Sequence, residues 1–232
     1  MKNHWNDNKF IPIRPGKSNL TLNWSDSDSE ENFIKNPKAG HSKDSVIYKY
    51  NSYGYRTNEF NFTDPAVLCL GCSFTEGIGV NSEQAWPGIL AKHFLNYNVY
   101  NLGVEGTSGD SVPRILASIK DLINVKLVFI LWPIPWRYEI YHEDRVQTIR
   151  STTNDGFSSL MLTDVNFFNI KQRNKLMVGL LSQIYQYNIV EYDIEDFPLT
   201  LDQGRDNHPG PNAHKEMANM FLNKYHNVHT KI

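Results

Sequence analysis

Residues 67–80 read VLCLGCSFTEGIGV. A strand-forming run ends at Gly71, and Ser73 follows, between the turn and a glycine-dotted stretch that leads toward a helix. A serine at the carboxyl end of a strand is well placed to act on a ligand, and it suits an ordinary turn or cap equally well. A serine hydroxyl attacks only when a neighbouring base takes its proton. The candidate base lies in RDNHPGPNAHKEMANMF, residues 205–221, where His208 follows Asp206 closely and Pro209, Gly210 and Pro211 stiffen the loop before a helix. Asp206 would fix the imidazole tautomer and stabilise its cation, the logic of a serine triad. An oxyanion hole needs N–H donors. The backbone of Ser73 at a helix start is one, and Gly106, in the glycine-rich turn NLGVEGTSGD (101–110), is another.

The segment 132–141, from the end of KLVFILW (126–132) onward, gathers Trp132, Trp136, Tyr138 and Tyr141 around Arg137. Their faces could stack on sugar rings, and Arg137 or the Trp132 indole could donate to a developing anion. The other reading is that they pack a long loop onto the sheet. His208 and His214 have no Cys, His, Asp or Glu neighbours at a zinc spacing, so no metal and no cofactor is expected, and His214 belongs in the first turn of the last helix. Cys69 and Cys72 form a C-x-x-C, but they fall in a strand and a turn and read as packing residues, because a redox pair usually opens a helix.

The elements that must position these residues are regular from residue 65 onward. The apolar runs 66–70, 98–102 and 126–132 have the length and composition of buried parallel strands, and 188–194 reads as a further strand. Helical spacing over 83–95, 110–123, 174–187 and 212–226 places helices between and after them. Alternating strand and helix predicts right-handed crossovers and a three-layer α/β/α sandwich around a parallel sheet of about five strands. Residues 133–172 read as a loop-rich middle, and 48–60 as a short hairpin or extended lead-in with a turn at Gly54. Residues 1–45 carry prolines and an acidic serine cluster and read as a polar arm ahead of a domain spanning 46–232.

The chain has 232 residues, 40% hydrophobic and 21% charged, enough for one domain with a sizeable core. With a net charge of −2 and no long basic run, it has little with which to neutralise a row of phosphates, so no nucleic-acid partner is expected. No apolar run suits a membrane span and MKNHWNDNKF has no secretion-signal core, so no membrane partner is expected. The expected location is cytoplasmic, with a phage-encoded origin left open. A small-molecule or glycan partner is easier to accommodate; the sequence leaves the oligomeric state undetermined.

Three blocks together resemble the SGNH hydrolases, the GDSL-type esterases and lipases. GCSFTEG matches the nucleophile block G-D-S-x-T at Gly71, Ser73 and Thr75, with Cys72 where Asp is commonest, a variant familiar among bacterial and phage-encoded members. Asn101, Gly103 and Gly106 match N-x-G-x-x-G, and Asp206, His208 and Pro209 match the last block. NSYGYR, with Arg56, is similar to the segment preceding the nucleophile strand. The resemblance implies the flavodoxin-like SGNH fold, Ser73, His208 and Asp206 as triad, and Ser73 and Gly106 as oxyanion donors. It implies a serine esterase removing acetyl or another small acyl group from a carbohydrate or similar polar alcohol. Arg137, Trp132, Trp136 and Arg56 are the substrate-binding candidates. Two departures stand out: the acid and base are spaced D-x-H rather than D-x-x-H, with Arg205 at the usual acid position, and Pro135 stands about where the third block has its donor asparagine. A weak or inactive glycan-binding or virion-associated module on the same fold is the alternative.

Overall fold

The computed structural model describes Arg14 and residues 16–142, 145–150, 163–197 and 199–229. Four strands form the central sheet: β3 (Pro65–Leu70), β4 (Asn98–Asn101), β5 (Asn124–Trp132) and β8 (Asn188–Asp193), all parallel, in the order β4-β3-β5-β8. About five strands were expected; the described residues supply four in this sheet. Each runs as a nearly unbroken apolar stretch because both faces are covered. Val67 and Cys69 face one layer while Leu68 and Leu70 face the other, the two-residue alternation of a strand.

One layer is α3 (Trp86–Ala91) with α6 (Pro211–His229). Trp86 and Leu90 meet Met217 and Phe221 over Val67, Cys69 and Phe129, and the Trp86 and Phe221 rings stack at 4.6 Å. The other layer is α4 (Ser111–Ile119) with α5 (Asp164–Tyr185), where Ile115, Leu116 and Val178 cover Leu68, Leu70 and Ile130. From β3 the chain crosses by α3 to β4 on one side, then by α4 to β5 on the other. This reversal opens a crevice at the carboxyl ends of β3 and β5, as in flavodoxin-like sheets.

Three regions differ from the sequence reading. Residues 133–172 are not all loop: β6 (Arg137–His142) and β7 (Arg145–Arg150) form an antiparallel hairpin in which Tyr138 pairs with Ile149, both buried. The prolines at 133 and 135 masked this short alternation. Helix α5 begins ten residues earlier than expected, capped by the Thr163 hydroxyl, which accepts from Asn166 N. Its apolar residues lie on all sides, so the one-face signal is weak there. The lead-in does not pair with itself: β2 (Tyr48–Lys49) pairs with β1 (Thr21–Leu22), within the segment read as an arm. That segment also carries α1 (Glu30–Lys35) and buries Ser25 and Asp28. Its residues 1–13 and Pro15 lie outside the described residues, as does the Tyr141 side chain. Among the described residues no helix is long and apolar enough to cross a membrane.

His214 sits in the first turn of α6, fully buried, its Nδ1 accepting from Trp86 N at 3.3 Å. Burial, with help from the charges of Arg56 and His208, pushes its pKa down from 6.5 to about 3. The folded state therefore keeps it neutral where the unfolded chain protonates. The stability it contributes is fully present above pH 6.5 and is lost as pH falls from 6.5 toward about 3. Urea unfolding across this window is expected to show a steep acid limb that His214→Gln flattens; equal slopes would remove His214 as its cause.

Candidate active site

Ser73 opens α2 (Ser73–Glu76), a single helical turn just past β3, and is buried. Glycine at 71 is required by crowding: a Cβ there would stand 2.2 Å from Thr75 Oγ1 and 2.6 Å from Leu131 O of the neighbouring strand. Helix α2 ends at Gly77, whose φ of 81° is left-handed. Burial raises the Cys72 thiol, against the opposing effects of the Phe74 N–H, the Arg137 charge and the Ser73 hydroxyl. Cys69 is also raised by burial, so both cysteines are held as neutral packing thiols.

The histidine loop lies on the turn that follows α2. Arg205 N donates to Gly79 O at 2.7 Å, and a Cβ on Gly79 would stand 2.5 Å from Asp206 Oδ1. His208 Nδ1 and Asp206 Oδ2 are 2.5 Å apart, and Asp206 Oδ1 accepts the His208 backbone N–H at 3.0 Å. The D-x-H spacing thus brings the carboxylate onto the ring. The Phe74 ring meets the His208 ring edge-to-face at 5.4 Å, setting the imidazole beside the residue that follows Ser73. The His208 ring bonds Asp206, and its backbone carbonyl accepts the Gly204 N–H at 2.9 Å; its contact with the serine turn is the ring packing on Phe74.

The third loop, 102–110, closes the group. Val104 N donates to Gly71 O at 3.0 Å, and Asn101 Nδ2 donates to Thr75 O at 2.8 Å. A Cβ on Gly103 would lie 2.3 Å from Glu76 N, which explains the first glycine of the block; Gly106 has φ 74°, which explains the second. The Glu76 carboxylate, fully buried, accepts the Glu105 N–H, the Tyr50 hydroxyl at 3.0 Å and Arg14 Nη1 at 3.0 Å. It therefore holds the backbone next to Gly106.

Arg137 is partly exposed at the start of β6 and donates through Nη1 to Thr107 O at 3.3 Å. The hairpin is pinned there by Glu139, which takes Arg114 Nε and Nη2 at 2.8 Å each, while its backbone N–H goes to Asp110. Trp136 is exposed, with its ring edge on Phe167 at 5.9 Å. Two substrate-binding candidates are committed elsewhere. Trp132 is buried, and its indole N–H donates to Glu191 Oε2 at 2.8 Å, so it neither stacks on a ligand nor donates to an oxyanion. Arg56 is buried beneath Tyr48, bonding the carbonyls of Ile47, Glu76, Gly77 and Val80, and its role is to hold the chain around α2.

Solved structures with a similar chain path include two from the lipolytic G-D-S-L family. One, from Veillonella parvula DSM 2008, is 13% identical with a TM-score of 0.38, over 72% of this chain and 100% of that one. The other, from Desulfitobacterium hafniense DCB-2, is 13% identical with a TM-score of 0.37, over 68% of this chain and 98% of that one. No family model and no curated protein matches this chain.

Sequence reasoning missed the residues that tie these loops together. Asp28 and Arg205 are both buried and bonded at 2.7 to 3.1 Å, and Ser27 donates its N–H and hydroxyl to Glu105 Oε1. Asp28 sits in an acidic serine cluster that reads as solvated surface, and Arg205 stands where an acid was looked for. The one available signal was Glu76, the single charged residue in the stretch 67–80. Removing one partner of a buried pair strands a charge, so Asp28→Ala is expected to cost about 3–5 kcal/mol in guanidinium unfolding. A loss below about 1 kcal/mol, the scale of a surface pair, would mean that the pair does not anchor the loop.

Proposed function

We propose that this chain is a serine esterase of the SGNH type, removing acetyl or another small acyl group from a carbohydrate or similar polar alcohol. The observation that carries the reading is the Asp206–His208 pair at 2.5 Å, on a loop bonded to the turn that follows Ser73. Ser73 attacks the acyl carbonyl as His208 Nε2 takes its proton, with Asp206 steadying the imidazolium. The proton then passes to the leaving alcohol, and water, activated the same way, releases the acid. The Ser73 hydroxyl turns from Cys72 toward His208 for this step; catalytic hydrogen bonds tighten only in the substrate complex. The N–H groups of Ser73 and Gly106 receive the oxyanion.

Arg137 is the substitute for the donor asparagine. Its guanidinium reaches Thr107 O beside Gly106, and its charge is felt at Cys72 beside Ser73. A permanently charged donor is worth more against a developing anion than a neutral one. Exposed Trp136 offers a ring for a sugar face, which supports a polar alcohol as the leaving group.

Hydrolysis of p-nitrophenyl acetate and release of acetate from an acetylated oligosaccharide test this reading. Ser73→Ala is expected to abolish both. Arg137→Ala is expected to lower kcat by about a hundred- to thousand-fold, the usual cost of one oxyanion donor, with KM little changed. If Arg137→Ala leaves kcat/KM unaltered, Arg137 is not the donor. If wild type and Ser73→Ala hydrolyse neither ester yet bind the glycan equally, the binding-module alternative replaces the esterase.

A further inference from the structure

Helix α5 buries one side against the sheet through Phe167, Asn174 and Val178. Its opposite side is also apolar. Val165, Phe168, Leu176 and Ile184 are 69%, 62%, 65% and 68% exposed, and Met177 and Leu180 are exposed between them. At 100° per residue these six fall within one half of the helix circumference, opposite Phe167 and Val178. The positions between them, Asn169, Gln172, Gly179 and Gln183, carry no charge. The one cation on that side, Arg173, is paired with Asp110 at 2.8 Å. Among the described residues nothing lies within 4 Å of where a Cβ would stand on Gly179, so none of them requires a glycine there. Mid-helix glycine costs about 1 kcal/mol relative to alanine, and it lets another backbone approach closely.

We propose that this face is a homodimer interface, with α5 of one copy packed antiparallel on α5 of a second across a two-fold axis near Leu176. That register sets Phe168 of one copy against Ile184 of the other at both ends and Leu176 on itself, leaving Gly179 close to the axis. An isologous contact needs a self-complementary surface, and an apolar stripe running the length of a 22-residue helix, its one cation Arg173 already paired with Asp110, is one. Six such side chains, about half to two-thirds exposed, offer on the order of 600 Å² per copy, near the ~800 Å² of a standard stable interface. A lipid surface suits the helix less well. Interfacial helices present lysines or arginines to headgroups, whereas Lys171 and Lys175 here turn inward to Asp193 and Glu191.

Sedimentation velocity on the full chain from about 1 to about 100 µM tests the proposal, a range suited to a contact near the small end of specific interfaces. The mass is expected to rise from 26.8 kDa toward twice that value. Leu176→Glu with Leu180→Glu is expected to remain at 26.8 kDa with an unchanged far-ultraviolet dichroism spectrum. A short bis-maleimide is expected to cross-link Leu176→Cys into a dimer and to leave Asn219→Cys, on the exposed side of α6, uncoupled. A wild type that stays monomeric throughout would overturn the proposal. So would a folded double variant that associates like wild type, or a Leu176→Cys chain that does not couple.

Discussion

The loop that carries the histidine is held by a buried ion pair, and the rest of the site depends on it. Arg205 and Asp28 are both removed from water, a cost that mutual attraction offsets only when the remaining hydrogen-bonding capacity is filled. Here it is filled. The guanidinium also donates to the carbonyls of Asn23, Lys43 and Val46 and lies over the Trp24 ring at 3.8 Å, while the carboxylate accepts from the Tyr48 hydroxyl. That hydroxyl in turn takes the Gly79 N–H at 2.9 Å. One knot therefore ties the segment ahead of the sheet, β2, the turn after the serine and the loop carrying His208.

The same segment reaches the other two loops. Arg14 pairs with Glu76 behind the serine turn, and Ser27 holds Glu105 beside Gly106. Burial raises the Glu105 carboxyl, with the Ser27 bonds opposing that shift. Loops at the carboxyl ends of parallel strands have no ladder to fix them, so contacts of this kind must supply their relative placement. Where the loops approach most closely, at Gly71, Gly79 and Gly103, backbone meets backbone or a short side chain, and a Cβ would push them apart. The cross-braces and the glycines address the same problem, which is holding three irregular segments at a separation suited to chemistry.

Two residues set the charge around Ser73. Cys72, held neutral by burial, puts no negative charge beside it. Arg137 adds a positive charge that is felt at Cys72, and its hairpin is fixed by the bidentate Arg114–Glu139 pair. A cavity of about 630 Å³ between β2, α3 and the β4 edge shares no lining with Ser73, Gly106 or His208.

Sequence alone determined the layered α/β fold, because doubly covered strands and one-sided helices write their burial into residue order, as in 66–70 and 110–123. It also drew attention to Ser73, Gly106, Asp206 and His208 as candidates, because a sharp turn, a glycine-rich loop and a stiff proline loop each show in residue type. It could not reveal that Asp28 meets Arg205 across 177 positions, that Arg56 and Trp132 are consumed by the scaffold, or that 137–150 pairs as a hairpin. A charged or aromatic side chain has the same letter whether it faces solvent, substrate or a buried partner. Which of these it meets is decided by long-range packing, and only the tertiary structure contains that.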